Sequence, residues 1–178
     1  EFDDVPSGSY YRDAVNWAVE NGITYGTSNN TFDPDGICTR AQAVTFLWRA
    51  AGKPTPKGNA AVFSDVVSGS YYEKAVLWAV ENGITLGTSK TTFGPDERCT
   101  RAQIASFIFR FKQAEHENAA NANGIKLPFT DVPEWAYESI AWCYQSGITN
   151  GMTKELFGSN NPCTRAQIVT FLWRAFAK

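Results

Sequence analysis

Apolar residues recur along this chain in two distinct patterns. Over residues 11–21, Ala14, Val15, Ala18 and Val19 fall on one face at helical spacing. Gly22 follows as the left-handed residue that ends such a helix, and Ile23 as the apolar residue that packs behind it. Between Gly26 and Gly36 the chain has Gly, Ser, Asn, Pro and Asp at turn density, with Phe32 as a plug into the core. A second helix then begins near Arg40, and Val44, Phe46, Leu47, Trp48 and Ala50 make it apolar around most of its circumference. A helix of that kind is normally buried.

This helix–loop–helix unit occurs three times. Phe2-Asp3-Asp4-Val5 recurs from Phe63 and from Phe129, Gly22-Ile23-Thr24 from Gly83 and Gly147, and Cys38-Thr39-Arg40-Ala41-Gln42 from Cys99 and Cys163. Between residues 2–50 and 63–111, 32 of 49 aligned positions are identical; the third copy is more diverged and lacks two residues before its first helix. The boundaries read as 1–52, 62–113 and 128–178, joined by a Pro-rich link at 53–59 and a longer one at 113–126 that reads as a helix extension and a loop. A unit of about 50 residues is marginal as an independent core. The expected fold is therefore all-α and cooperative: three repeats in a pseudo-threefold arrangement around a central bundle of the three apolar helices. An open solenoid would leave an apolar face bare at its end, and the last helix shows no polar capping face.

Each second helix opens on a capping box. Thr39, Thr100 and Thr164 accept from the backbone three residues on, while Gln42, Gln103 and Gln167 reach back to the Thr N–H. Arg40, Arg101 and Arg165 stand at the first helical position, where a cation is mildly unfavourable for the helix dipole. Such a choice made three times suggests a use: a guanidinium beside exposed helix N–H groups is a good carboxylate receptor. The competing reading pairs each Arg with a neighbouring acid. Arg49, Arg110 and Arg174, near the opposite helix ends, suit the dipole and read as structural.

Charge and composition narrow the functions. With 178 residues, 16 basic and 18 acidic side chains and a net charge of −2, a nucleic-acid surface is not expected. No apolar run reaches the length of a membrane span. The chain begins directly on a repeat motif, as an excised module would, so an export signal could lie outside it. The single histidine, His116, cannot build a His-based triad or a multi-His metal site. Cys38, Cys99, Cys143 and Cys163 include no C-x-x-C element, and equivalent positions about a threefold axis are expected to lie far apart, so they read as buried free thiols. No calcium loop, other metal site or cofactor is expected.

The pattern Phe-x-Asp-Val, helix, Gly-Ile-x-x-Gly, Phe-x-Pro-Asp, Thr-Arg-Ala-Gln resembles the S-layer homology domain, in three copies that cover nearly the whole chain. The resemblance implies a pseudo-trimer within one chain, on the bacterial cell surface, that holds proteins on the wall by binding an acidic secondary cell-wall polysaccharide, often pyruvylated. It also implies that Arg40, Arg101 and Arg165 meet the anionic sugar in grooves between repeats. Gln stands in all three motifs where Glu is commoner, and Cys where the family has an aliphatic residue. Tyr10, Tyr71 and Trp135, at matching places before the first helices, either stack on sugar or pack into the fold. Asp13 is a candidate acceptor for sugar hydroxyls, although Lys74 and Glu138 replace it in the other copies. The expectation is a non-catalytic anchoring module; the alternative is a self-assembly module of a surface lattice. A sugar-processing enzyme would need a pair of placed carboxylates, and none recurs near the arginines.

Overall fold

The computed structural model describes residues 2–58, 63–115, 122 and 124–177; His116 lies outside them. Six α-helices follow in order: α1 (Arg12–Glu20), α2 (Arg40–Ala50), α3 (Glu73–Glu81), α4 (Arg101–Glu115), α5 (Tyr137–Gln145) and α6 (Arg165–Phe176). The third copy, two residues shorter before its first helix, enters α5 through a single 3-10 turn, Glu134–Ala136. The fold is all-α.

The apolar helices α2, α4 and α6 pack on one another as a central bundle, as their all-round hydrophobicity requires. The outer helices do not sit where sequence order alone would put them. Each first helix packs on the second helix of the preceding unit: α3 on α2, α5 on α4, and α1 on α6. The last contact joins the two ends of the chain and closes the ring, which excludes the solenoid. Ala14, Val15 and Ala18 and their counterparts Ala75, Val76, Ala79, Ser139, Ile140 and Cys143 form the buried faces of the outer helices. The plugs Phe32, Phe93 and Phe157 are fully buried.

At the axis the chain forms a small closed ring of backbone hydrogen bonds. Cys38 donates to the Cys163 carbonyl at 3.0 Å, Cys163 to Cys99 at 2.8 Å, and Cys99 to Cys38 at 2.9 Å. This corrects the expectation that these cysteines lie far apart: their position immediately before each central helix brings them to the axis. All four thiols are free and buried, and burial pushes Cys38 and Cys99 up to about 12, so they stay protonated. No cluster among the described residues could hold a metal ion.

The capping boxes form as expected. The Thr39, Thr100 and Thr164 hydroxyls each accept from the backbone N–H of the Gln three residues on at 3.2 Å, and the Gln Oε1 atoms accept in return from the Thr backbone N–H at 2.9–3.1 Å. Thr100→Ala should therefore lower stability by about 0.5–2 kcal/mol, read by chemical denaturation without any ligand. A fragment of residues 1–52 keeps α1 and α2 but loses α6, on which α1 packs. It should show no sharp thermal transition in calorimetry; a cooperative one would mean that a unit folds alone.

Candidate functional site

The three arginines are buried, at 3%, 5% and 7% exposure, and each crosses into the next unit. Arg40 donates from Nε to the Phe93 carbonyl at 2.9 Å, Arg101 to Phe157 at 2.9 Å, and Arg165 to Phe32 at 2.7 Å. Each guanidinium also lies over two rings of the unit it enters: Phe93 and Phe107 for Arg40, Phe157 and Phe171 for Arg101, Phe32 and Phe46 for Arg165, at 4.8–5.6 Å from the centroids. Burial lowers all three guanidinium pKa values from the ordinary one. The direct partners are thus a carbonyl and two aromatic faces; Asp65, Asp131 and Asp4 lie near enough to act on Arg40, Arg101 and Arg165 electrostatically, but no direct ion pair forms with them among the described residues.

The helix N-termini are not open to an anion in the way the sequence suggested. The N–H groups of Arg40 and Ala41 donate to Glu97 and Pro95 of the next unit's loop; those of Arg101 and Ala102 donate to Asn161 and Ser159; those of Arg165 and Ala166 donate to Gly36 and Pro34. With the Thr cap serving the third position, the first turn has its donors engaged. Any anion near these arginines meets guanidinium nitrogens and side chains rather than helix-end N–H groups.

The loop that supplies those carbonyls is held by the Asp of Phe-x-Asp-Val. Asp4 accepts from Phe32 and Asp33 N–H at 2.8 and 2.7 Å, Asp65 from Phe93 and Gly94 at 2.8 Å, and Asp131 from Phe157 and Gly158 at 2.7 Å. Burial acts to raise the Asp4 and Asp131 carboxyl pKa values, but the backbone donors outweigh it and hold both below the usual carboxylate value. These aspartates escaped the sequence reading, although their threefold recurrence was the available signal.

Arg40 and Arg101 each border a cavity to which all three units contribute. The one at Arg101 has a volume of about 390 Å³ and is lined by the third unit's loop at Thr149–Met152, by Gln167 and Arg174 of α6, and by Tyr10 of the first unit. The one at Arg40, about 250 Å³, is lined by Thr85, Leu86, Gln103, Ser106 and Arg110 of the second unit and by Trp135 of the third. Tyr10, Tyr71 and Trp135 are 57–62% exposed, and Tyr71, the counterpart of the two lining aromatics, stands near Thr39 of the first unit. Gln103 and Gln167 thus wall the cavities as well as capping the helices. Arg110 and Arg174 do likewise while donating to the Ile84 and Ile148 carbonyls at 3.2 and 3.3 Å. Asp13, Lys74 and Glu138 are exposed on the outer helices, and none of them lines either cavity.

Gly87, in the wall of the Arg40 cavity, has φ +81°, and a Cβ there would overlap the Thr92 carbonyl and the Phe63 ring. Gly83 has a similar φ, +66°, but open space around it. Gly87→Ala should cost about 2–4 kcal/mol, from left-handed strain plus overpacking, and Gly83→Ala only about 1–2 kcal/mol. Paired urea titrations of the two variants measure the difference directly.

The profile of the S-layer homology domain matches this chain three times, over residues 1–44, 62–105 and 128–169. Among curated proteins, the chain is 35% identical over 79% of its length to an endoglucanase of Bacillus sp. (strain KSM-635). It is 30% identical over 88% of its length to the surface-layer 125 kDa protein of Lysinibacillus sphaericus, and 26% identical over 96% to an S-layer protein of Bacillus thuringiensis subsp. finitimus. It spans only 14%, 13% and 21% of those three relatives.

Proposed function

Because the chain belongs to the S-layer homology family, carrying three copies of that domain in one closed ring at the bacterial cell surface, we propose that it is a non-catalytic anchor. It binds an acidic secondary cell-wall polysaccharide, of the pyruvylated kind, in the cavities beside Arg40 and Arg101, with Arg165 as the matching contact at the third interface between units. The observation that carries this reading is the composition of each cavity. A buried guanidinium supplies fixed positive charge, Gln and Thr supply neutral hydrogen-bonding groups, and an exposed aromatic from a third unit supplies a flat apolar face at the rim. That is the complement of a sugar bearing a carboxylate. The endoglucanase relative is a much longer protein, and the matched portion is the three-domain region rather than evidence of hydrolysis here.

Two kinds of substitution separate binding from folding. An Arg101→Ala change removes the donor to the buried Phe157 carbonyl, so it lowers the melting temperature as well as the affinity. Measured well below that temperature by calorimetry, the affinity for purified wall polysaccharide should fall roughly ten- to hundredfold if one groove dominates. Tyr10→Ala and Trp135→Ala act on exposed rim residues and should weaken binding with little change in melting. Removing the ketal acid from the polysaccharide should abolish most of the wild-type affinity. Binding to surface-layer protein that persists without polysaccharide, with all these variants unaffected, would favour the lattice-assembly alternative instead.

A further inference from the structure

The first link between units is not a loose tether. Leaving α2, it is held on the seam between α2 and α3 by one side chain from each helix. The Trp48 indole N–H of α2 donates to the Pro54 carbonyl at 2.8 Å. Glu81, the last residue of α3, accepts from the Lys57 N–H at 2.8 Å and, through its other carboxylate oxygen, from the Gly58 N–H. A Cβ at Gly58 would lie 2.7 Å from Glu81 Oε1, so the close approach requires glycine.

The seam between α6 and α1 is built alike, since α1 packs on α6 as α3 packs on α2. Trp173 stands on α6 where α2 has Trp48, and Glu20 ends α1 where Glu81 ends α3. Among the described residues, neither the Trp173 indole N–H nor the Glu20 carboxylate has a hydrogen-bond partner. Val19 beside them is 37% exposed, whereas its counterpart Val80 packs against the core. The seam of α5 on α4 is different. Phe109 and Gln145 take the Trp and Glu places there, and the second link is held instead by Tyr137, whose hydroxyl donates to the Ile125 carbonyl at 2.8 Å.

We propose that the α6/α1 seam is a docking site for an extended peptide that leads into Phe2 as the first link leads into Phe63. Its recognition elements are set by the spacing of the first link: a carbonyl nine residues before Phe2 for Trp173, and two successive N–H groups six and five residues before it for Glu20, the second on glycine. The occupant is polypeptide that precedes Phe2 in a longer protein; relatives of which this chain spans 13–21% have the length to supply one. Polypeptide leaving α6 fits the site less well. Ala177 stands where Gly52 takes φ +85° at the exit of α2, and α6 runs one residue further than α2 before it ends. Docked in this way, the preceding part of a longer protein is held against the ring instead of swinging from its first residue.

The test grafts residues 54–61, Pro-Thr-Pro-Lys-Gly-Asn-Ala-Ala, before Glu1 of the whole chain, which reproduces the spacing to Phe2. A Gly-Ser segment of equal length before Glu1 is the control. The graft should raise the melting temperature by about 2–4 °C over the control and shift the Trp173 indole N–H resonance. Glu20→Gln and Trp173→Phe should each reduce that rise, taken as graft minus control in the same background, and the double variant should lose it. Phe already fills the Trp173 place on α4, so the fold tolerates the second change. No rise over the control, or a rise that the double variant keeps, overturns the proposal. So does a Glu20-dependent rise seen only when the same eight residues follow Lys178, because the seam would then serve polypeptide leaving α6.

Discussion

Three buried guanidinium groups hold this ring together, and the rest of the structure is arranged to make their burial tolerable. Taking a cation out of water costs several kcal/mol unless the protein replaces its hydration. Here the replacement comes from the neighbouring unit, as a carbonyl for Nε and two aromatic faces for the guanidinium plane. Because donor and acceptor lie on different units, the interaction is satisfied only when the units are docked. It runs in one direction, first unit to second, second to third, third to first. The same direction governs the packing of the outer helices and the capping of the central ones. The closing step, α1 on α6, joins residues at opposite ends of the chain. Its loop-closure entropy grows only logarithmically with the intervening length, so a ring closed by several such contacts is affordable.

A second chain of dependence runs from Asp to loop to Arg. The carboxylates of Asp4, Asp65 and Asp131 fix the backbone at the Phe plug, and that backbone presents the carbonyl the neighbouring Arg requires. The residue after the plug is left-handed in every unit: Gly94 and Gly158 at φ +71° and +78°, but Asp33 at +59°. Asp tolerates that region better than most residues, which explains how the first unit keeps the same loop without glycine.

Much of this was legible in the sequence, for identifiable reasons. The all-round apolar character of α2, α4 and α6 showed that these helices are central, and Thr-Arg-Ala-Gln showed how they begin. The outer helices α1, α3 and α5 were legible as helices but not as partners of the preceding unit, because periodicity names a buried face without naming what covers it. Cys38, Cys99 and Cys163 were legible as buried but misplaced: a repeat gives equivalence, and only the helix tilt and chain entry decide how close to the axis a position falls. Arg40 stood out as a purposeful violation of the dipole rule. What could not be read was that the adjacent N–H groups are already engaged by another unit's loop, a contact made across 50 or so residues and leaving no local mark.

The pattern of what is repeated and what is not separates scaffold from surface. The Asp, Thr and Gln positions that fix the loop and the helix cap within each unit, and the Arg and Phe positions that bond between units, are identical in all three copies. Substitution does reach the cavities: where the Arg101 cavity has Asn150, Tyr10 and Thr170, the Arg40 cavity has Leu86, Trp135 and Ser106. The framework needs all three interfaces to be nearly the same, since a weak one would open the ring. The cavities carry no such constraint, because a rim residue can change without disturbing the guanidinium beneath it. A closed pseudo-trimer therefore allows one scaffold, built on three like interfaces, to present recesses of different chemistry beside Arg40 and Arg101.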